Sequence, residues 1–260
     1  AGGYSLQANT TGSANNGIGY KALYSNTTGR NNTANGNNAL YYATTAENNA
    51  AFGYKSLYNT TTGSNNTAFG TNTLYANTTG QFNSAFARNA LFSNTTGNYN
   101  VAQGQRALFS NTTGDKNVSI GGDSGLNNST GSANVFLGNE AGYSETGSNK
   151  LYISNNKSRP LLYGEFSTNA QSNKLGIGRN SVPSGDAISV WNGAHLTTGG
   201  VWTNASSRDL KENIRPLSNE EAQDALAALS PVRYVYKNST EEEYVGFIAE
   251  DVPELVANND

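Results

Sequence analysis

The residues of this sequence that could take part in covalent chemistry lie near its C-terminal end. Two adjacent serines, Ser206 and Ser207, are followed shortly by Lys211. A serine hydroxyl that attacks a peptide carbonyl needs a proton acceptor, and a lysine amine can serve only if burial lowers its pKa enough to populate the neutral form. Taken alone, the same pattern is more typical of a capped turn followed by a solvated lysine. The surrounding elements must therefore decide between the two interpretations.

A small folded module is predicted around these residues. Ser218 and Glu221 form a capping box that begins a helix, and Pro231 lies just beyond its expected end. Two strands, Val232–Tyr236 and Tyr244–Ile248, are expected to pair across the segment that connects them. The sequence therefore predicts an α+β unit downstream of the serine pair.

Four short motifs in this module together resemble a known family. They are Ser-Ser-x-x-Leu-Lys, Glu-Asn-Ile, Pro-Val-Arg-Tyr and Gly-Phe-Ile-Ala-Glu-Asp-Val-Pro-Glu-Leu, and they extend from Ser206 to about Ala257. The combination resembles the intramolecular chaperone, or peptidase S74, domain at the end of phage tail fibres, tailspikes and related bacterial fibre proteins. In that family the domain trimerises the fibre, helps its β-stem to fold and then cuts itself off.

The resemblance implies a role for each residue of the serine–lysine pattern. Ser206 would be the nucleophile, Lys211 its base five residues later, and Ala205–Ser206 the bond that is cut. Family members usually carry Asp where this chain has Ser207, so Ser207 is an alternative register with a spacing of four. Family domains also continue into a long C-terminal helix, whereas this sequence stops at Asp260, so we expect the module to be truncated.

A seventeen-residue repeat accounts for most of the remaining chain. It runs from Asn9 to Ser144 in eight copies, the first reading NTTGSANNGIGYKALYS. The seventh unit position is Asn in every copy: Asn15, Asn32, Asn49, Asn66, Asn83, Asn100, Asn117 and Asn134. A fixed period with one invariant polar side chain is typical of a solenoid in which identical residues stack in ladders. We expect two short strands per coil and, at about 4.8 Å per coil, a rod roughly 40 Å long.

Two further rows of residues recur with the same period. Unit positions nine and ten are often both apolar, as at Ala68-Phe69. Because neighbouring residues of a strand face opposite sides, one of these two side chains fills the interior of the coil, and the other points outward and favours self-association. Aromatic residues recur near the unit end, and we interpret them as a packed ladder rather than a sugar-binding stripe. These are Tyr24, Tyr42, Tyr58, Tyr75, Phe92, Phe109 and Tyr143.

The chain is predicted to be mainly β and to have three parts. These are a β-solenoid shaft at 1–147, an intertwined β-stem at 148–205 and the chaperone-like module at 206–260. Charge separates the last part from the first, because residues 206–260 carry seventeen charged side chains and residues 1–144 only ten. The Asn-x-Ala-x-Gly repeat resembles the β-roll heads of trimeric autotransporter adhesins, and this resemblance implies a homotrimer.

Composition argues against several classes of function. The net charge of -3 and the absence of a basic patch disfavour a nucleic-acid partner, and no apolar run is long enough for a membrane span. His195 is the only histidine and has no nearby cysteines or clustered carboxylates, so we expect neither a metal nor a cofactor. The repeat has few acidic residues, and they are scattered along it, whereas a glycosidase needs two carboxylates that face each other. The acidic residues are Glu47, Asp115, Asp123 and Glu140.

The leading functional interpretation is a trimeric fibre on a phage tail or related particle. It would attach the particle to a glycan or protein receptor on a cell surface, and its only enzymatic act would be self-cleavage. The alternative is a bacterial trimeric surface adhesin or extracellular filament protein that uses the same chaperone. A sugar-degrading tailspike would need a carboxylate pair in an upstream domain, and a membrane-released transcription factor is disfavoured by the lack of a basic DNA-reading face.

Overall fold

The structure is a computed structural model that describes residues 2–167, 172–203, 218–220, 223, 232–234 and 244–246. The chain divides into two compact units, Ala1–Ala205 and Ser206–Asp260. The first unit contains both the predicted shaft and the predicted stem. The described residues are nearly all β or turn, which confirms the predicted fold class.

The shaft is a β-solenoid with one short strand in each coil. Neighbouring strands of the shaft pair in parallel at a spacing of seventeen residues, as in Thr67↔Ser84. The eight strands are β1 Asn16–Ile18, β2 Thr33–Asn35, β3 Ala50–Phe52, β4 Thr67–Phe69, β5 Ser84–Phe86, β6 Val101–Gln103, β7 Val118–Ile120 and β8 Val135–Leu137. The prediction of two strands per coil was therefore wrong.

The rest of each coil consists of turns, because the backbone repeatedly enters the left-handed region. In one coil the φ angles are +61° at Asn65, +133° at Gly70, +55° at Asn72 and +52° at Leu74, and the other coils have the same four positions. Extended strands need negative φ, so such residues end a strand. The turns still bond to the next coil: the amide of Thr78 donates to the carbonyl of Thr95 at 2.9 Å.

The core of the solenoid is a thin row of small and medium apolar side chains. The middle residue of each strand from β2 to β6 is a fully buried alanine, and it faces a row of fully buried leucines. These leucines are Leu23, Leu40, Leu57, Leu74, Leu91 and Leu108. All six have positive φ, a costly conformation for leucine that persists only when tight packing imposes it.

The stem continues the same sheet with mostly antiparallel strands, of which the first four are longer than the strands of the shaft. Its strands are β9 Lys150–Ile153, β10 Leu162–Glu165, β11 Lys174–Ile177, β12 Asp186–Val190, β13 His195–Thr197 and β14 Trp202–Thr203. β9 pairs in parallel with β8 and antiparallel with β10, so the change from coils to antiparallel strands occurs at β9. Each stem strand pairs with its sequence neighbour in the same chain. Intertwining with other copies stays a prediction.

In the second unit, β15 Val232–Tyr234 pairs antiparallel with β16 Tyr244–Gly246, as expected for the two predicted strands. Asn219, Glu220 and Gln223 have helical backbone where the helix was predicted to begin. Glu221, the second residue of the capping box, lies outside the described residues. Across the described part of the chain, no helix has the length and apolarity to cross a membrane.

Candidate functional site

The segment predicted to be cut begins directly after β14. In the hairpin of β13 and β14, Leu196 pairs with Trp202, and the amide of Val201 donates to the Thr197 hydroxyl at 3.1 Å. Ala205, Ser206, Ser207 and Lys211 all lie outside the described residues. The roles assigned to them therefore stay predictions.

The asparagines at the seventh unit position form a continuous buried row. Asn66 shows the arrangement: its Nδ2 donates to Asn49 Oδ1 at 3.1 Å and to the Gly80 carbonyl at 2.9 Å. The Asn49 Oδ1 atom also accepts the backbone amide of Asn66 at 2.9 Å. One side-chain amide thus makes two donor and two acceptor contacts, which a carboxylate or an apolar side chain could not reproduce.

The row extends without interruption from the shaft into the stem. The backbone amide of Asn134 donates to Asn117 Oδ1 at 3.0 Å. The side-chain Oδ1 of Asn134 accepts the backbone amide of Lys150 at 2.8 Å. Lys150 is the first residue of β9, so the last rung of the ladder fixes the start of the stem. The ladder is therefore a structural element that connects the two β parts.

A second asparagine ladder, which the sequence reasoning missed, lies at the first unit position. Asn94 Nδ2 donates to Asn77 Oδ1 at 2.9 Å and to the Gly97 carbonyl at 3.1 Å. Ala43 and Thr60 replace asparagine in two coils, and the buried Oδ1 atom of Asn26, next to the first of these, has no hydrogen-bond partner among the described residues. The recurring Asn-Thr-Thr-Gly motif was the signal that could have revealed this row.

The outer side of strands β1–β8 presents a regular surface, which we call the strand face. It consists of the first and third residue of each strand, since the middle residue points inward. Its most exposed apolar members retain 36 to 47% of their accessible surface. They are Ile18, Phe69, Phe86, Val101 and Ile120. Phe52, Phe69 and Phe86 stack on one another, with ring centroids 4.3 and 5.6 Å apart.

A separate aromatic stack runs along the sixteenth unit position. Successive rings are stacked with centroids 5.1 to 5.3 Å apart, which confirms the packed ladder. The stack consists of Tyr24, Tyr41, Tyr58, Tyr75, Phe92 and Phe109. It ends there because the next coil has Leu126 at this position, so the predicted member Tyr143 is not part of it. Tyr42 was placed in this row incorrectly: it lies one position later and packs edge-on against Tyr41 and Tyr58. Burial in this stack raises the pKa of Tyr58 to about 12.

A network of charged and phenolic side chains holds the first stem strands together. Glu165 accepts the Tyr163 hydroxyl at 2.7 Å and lies 3.3 Å from both Lys150 and Lys174. Burial opposes the charged form of Glu165, but the Tyr163 hydrogen bond and the two lysines outweigh it, and the carboxyl pKa falls below its ordinary value. Nearby, Glu145 accepts the Tyr152 hydroxyl at 2.8 Å, and burial and this bond raise the tyrosine pKa.

Two further polar features lie in the described part of the stem. His195 Nδ1 lies 3.0 Å from the Gly193 carbonyl, and its Nε2 lies 3.8 Å from the buried Asp186. No group of three potential metal ligands is found within the described ranges. An open cleft of about 530 Å³ is bordered by the exposed Trp191 and by Arg159 and Arg179. Arg179 already donates to the Ser189 hydroxyl at 2.9 Å and the Val190 carbonyl at 3.2 Å.

Comparison with known proteins identifies the C-terminal segment. The Peptidase_S74 family, described as chaperone of endosialidase, matches residues 206–259. No curated protein and no solved structure shows a significant match to the chain. The matched segment coincides with the second compact unit and follows a laddered β-solenoid, an arrangement that fits a tail fibre with a C-terminal chaperone. Residues 206–259 of this chain are thus similar to the chaperone-of-endosialidase domain.

Proposed function

We propose that this chain forms a trimeric fibre that attaches a phage tail or a related particle to a cell surface. Residues 206–259 would drive trimerisation and would then be cut away between Ala205 and Ser206. The observation that carries the proposal is the direct succession of a ladder-stabilised β-solenoid, an antiparallel β extension and a chaperone-of-endosialidase domain in one chain.

The architecture of the shaft gives a physical reason for such a chaperone. Each coil contributes a three-residue strand and a few core side chains, so a single coil is not stable without its neighbours. Neighbouring coils are also nearly equivalent, and a slip of one copy by seventeen residues would align the same ladders. Incorrect registers between copies would then differ little in energy from the correct one. A domain that brings three chains together at one end would select the correct register.

The proposed cleavage is an acyl transfer within the chain. The Ser206 hydroxyl attacks the carbonyl carbon of Ala205, Lys211 accepts the hydroxyl proton, and the proton is passed to the departing amine of Ser206. The resulting ester between Ala205 and the serine oxygen is hydrolysed by water, which leaves a carboxylate on Ala205 and restores the serine hydroxyl. Loss of the chaperone would make assembly irreversible and stabilise the mature fibre kinetically.

Attachment to a receptor is proposed from the surface of the shaft. Tyr20, Tyr54, Phe82 and Tyr99 are exposed beside the strands, and Phe82 stacks on Tyr99 with centroids 4.8 Å apart. Exposed aromatic rings contribute much contact area at low entropic cost, which suits recognition of glycan or protein surfaces. The receptor would be a cell-surface glycan or protein.

Mass spectrometry of the purified chain tests self-cleavage. Wild type should give two fragments, one ending at Ala205 and the other beginning at Ser206, and Ser206→Ala should give only the intact mass. Ser207→Ala is the matched control and should be cut like wild type. If Ser207→Ala stays intact while Ser206→Ala is cut, the nucleophile is the second serine. An intact mass for correctly assembled wild type would contradict self-cleavage.

A further inference from the structure

The distribution of charge around the shaft singles out the strand face. All ten charged side chains between Asn9 and Ser144 lie at unit positions five, six, twelve and thirteen, as at Glu47, Lys55 and Asp115. The strand occupies positions eight to ten, so the strand face has a charged row along each side and carries no charge itself. A charge-depleted apolar centre with a polar, charged rim is typical of a protein interface.

The length of this surface restricts what could cover it. Eight coils at a spacing of about 4.8 Å make a strip roughly 40 Å long. Along it the rings of Phe52, Phe69 and Phe86 form a regular stack. A partner would have to present matching features at the same spacing over the whole strip. A second copy of the same solenoid presents such features at the same spacing, because its coils have the same rise.

The strip also continues beyond the repeats. Val135 and Leu137 of β8 are in register with Leu151 and Ile153 of β9, and all four side chains are half-buried. The apolar surface therefore extends from the shaft into the first stem strand without a break. The aromatic stack on the sixteenth position differs, because its rings are half-buried by one another and Lys55 lies over Tyr58. That row is already packed within one chain.

We propose that the strand face is the surface on which copies of this chain pack against one another in the fibre. This inference rests on the proposed trimer and adds its contact surface. The apolar side chains of the first and third strand residues would be covered by a neighbouring copy. The charged rows would lie at the rim, and the aromatic stack and the asparagine-bearing turns would face outward.

Thiol labelling tests the proposal, and the chain has no cysteine of its own. Val101→Cys places a thiol on the strand face, and Thr96→Cys places one on an exposed turn of the same coil. In the assembled full-length chain, a water-soluble maleimide should label Cys at position 101 at least tenfold more slowly than Cys at position 96. Both thiols should react equally fast after denaturation. Equal rates in an assembled trimer would overturn the inference and leave the trimer standing.

A pair of charge substitutions provides the second test. Phe69→Arg puts a cation in the centre of the strand face, whereas Tyr42→Arg puts one at a similarly exposed aromatic position outside it, with exposures of 41 and 45% in the single chain. Light scattering should show loss of the trimer for Phe69→Arg and retention for Tyr42→Arg. A Phe69→Arg trimer as stable as wild type would contradict the proposal. A wild-type chain that is monomeric would overturn both the inference and the proposed fibre.

Discussion

The ring of Phe136 occupies the space that the leucine row would fill at Gly125. A Cβ atom on Gly125 would lie 2.5 Å from Phe136 Cδ2, and one on Gly142 would clash with Phe136 Cδ1. In the preceding coils the strand position of Phe136 holds a small residue, and the position of Gly125 holds a leucine such as Leu108. The last coils thus exchange one large side chain in the turn for one in the strand and keep the core filled.

This exchange predicts a compensating pair of substitutions. Gly125→Leu alone should overpack the core and destabilise the fold by about 1 to 3 kcal/mol, and Phe136→Ala alone should leave a cavity that costs about 3 to 5 kcal/mol. The double variant should be more stable than the sum of the two losses, because the new leucine enters the emptied space. Denaturation midpoints of all four proteins measure the coupling. Strict additivity would contradict the exchange.

The asparagine ladder predicts a large difference between two adjacent residues. Asn66→Asp removes both donors of a fully buried amide and should cost on the order of 3 kcal/mol or more, because the buried carboxylate would face the carbonyls of Asn49 and Gly80. Asn65→Asp changes an exposed side chain in the same turn and should have little effect. Chemical denaturation compares the two variants. Equal losses would mean that the ladder contributes no specific stability.

Backbone strain predicts opposite effects of two glycine–alanine exchanges. Ala87 has φ +98° at a position that is glycine in the other coils, so Ala87→Gly should stabilise the fold by about 1 kcal/mol. Gly53→Ala at the equivalent position should destabilise it, because the new Cβ would lie 2.6 Å from the Gly70 carbonyl oxygen. Thermal midpoints should move in opposite directions. A lower midpoint for Ala87→Gly would refute the strain at Ala87.

The Glu165 network predicts an acid-sensitive stem. The carboxyl pKa is lowered in the folded state, so its contribution to stability is fully present above the ordinary value of 4.5 and is lost as the pH falls through the folded value. Glu165→Gln should therefore be less stable than wild type at neutral pH, and the difference should shrink in acid. Glu47→Gln, at an exposed carboxylate of the shaft, should have a stability close to that of wild type at neutral pH. A Glu165→Gln difference that grows in acid would contradict the sign.

The sequence allowed the solenoid and its main ladder to be predicted because both depend only on period. An asparagine that recurs every seventeen residues stacks on its equivalent in the next coil, and the observed pairing of Asn49 with Asn66 follows from this period. The number of strands was not predictable in the same way. It depends on left-handed backbone at leucines and lysines, as at Lys55 and Leu57, and these residue types give no such signal. The assignment of Tyr42 instead of Tyr41 was an error of one position in the repeat.

The stem network could not be derived from residue types, because it depends on strand register. Lys150 and Glu165 meet because β9 and β10 pair antiparallel with these two residues opposite each other. The turn between the strands does not reveal that register. The cleavage residues, in contrast, are predicted from sequence motifs alone, namely those around Ser206 and Lys211. The family match over residues 206–259 supports the presence of the domain, and the roles of the two side chains stay predictions.

The central claim is that three copies of this chain assemble through a chaperone at their C-terminal end. The most direct test is the mass of the Ser206→Ala chain in solution, measured by light scattering over a range of concentrations, because this variant keeps the chaperone attached. A constant mass of three times the 27.4 kDa chain is predicted. A folded protein that has the mass of one chain at every concentration would contradict the account.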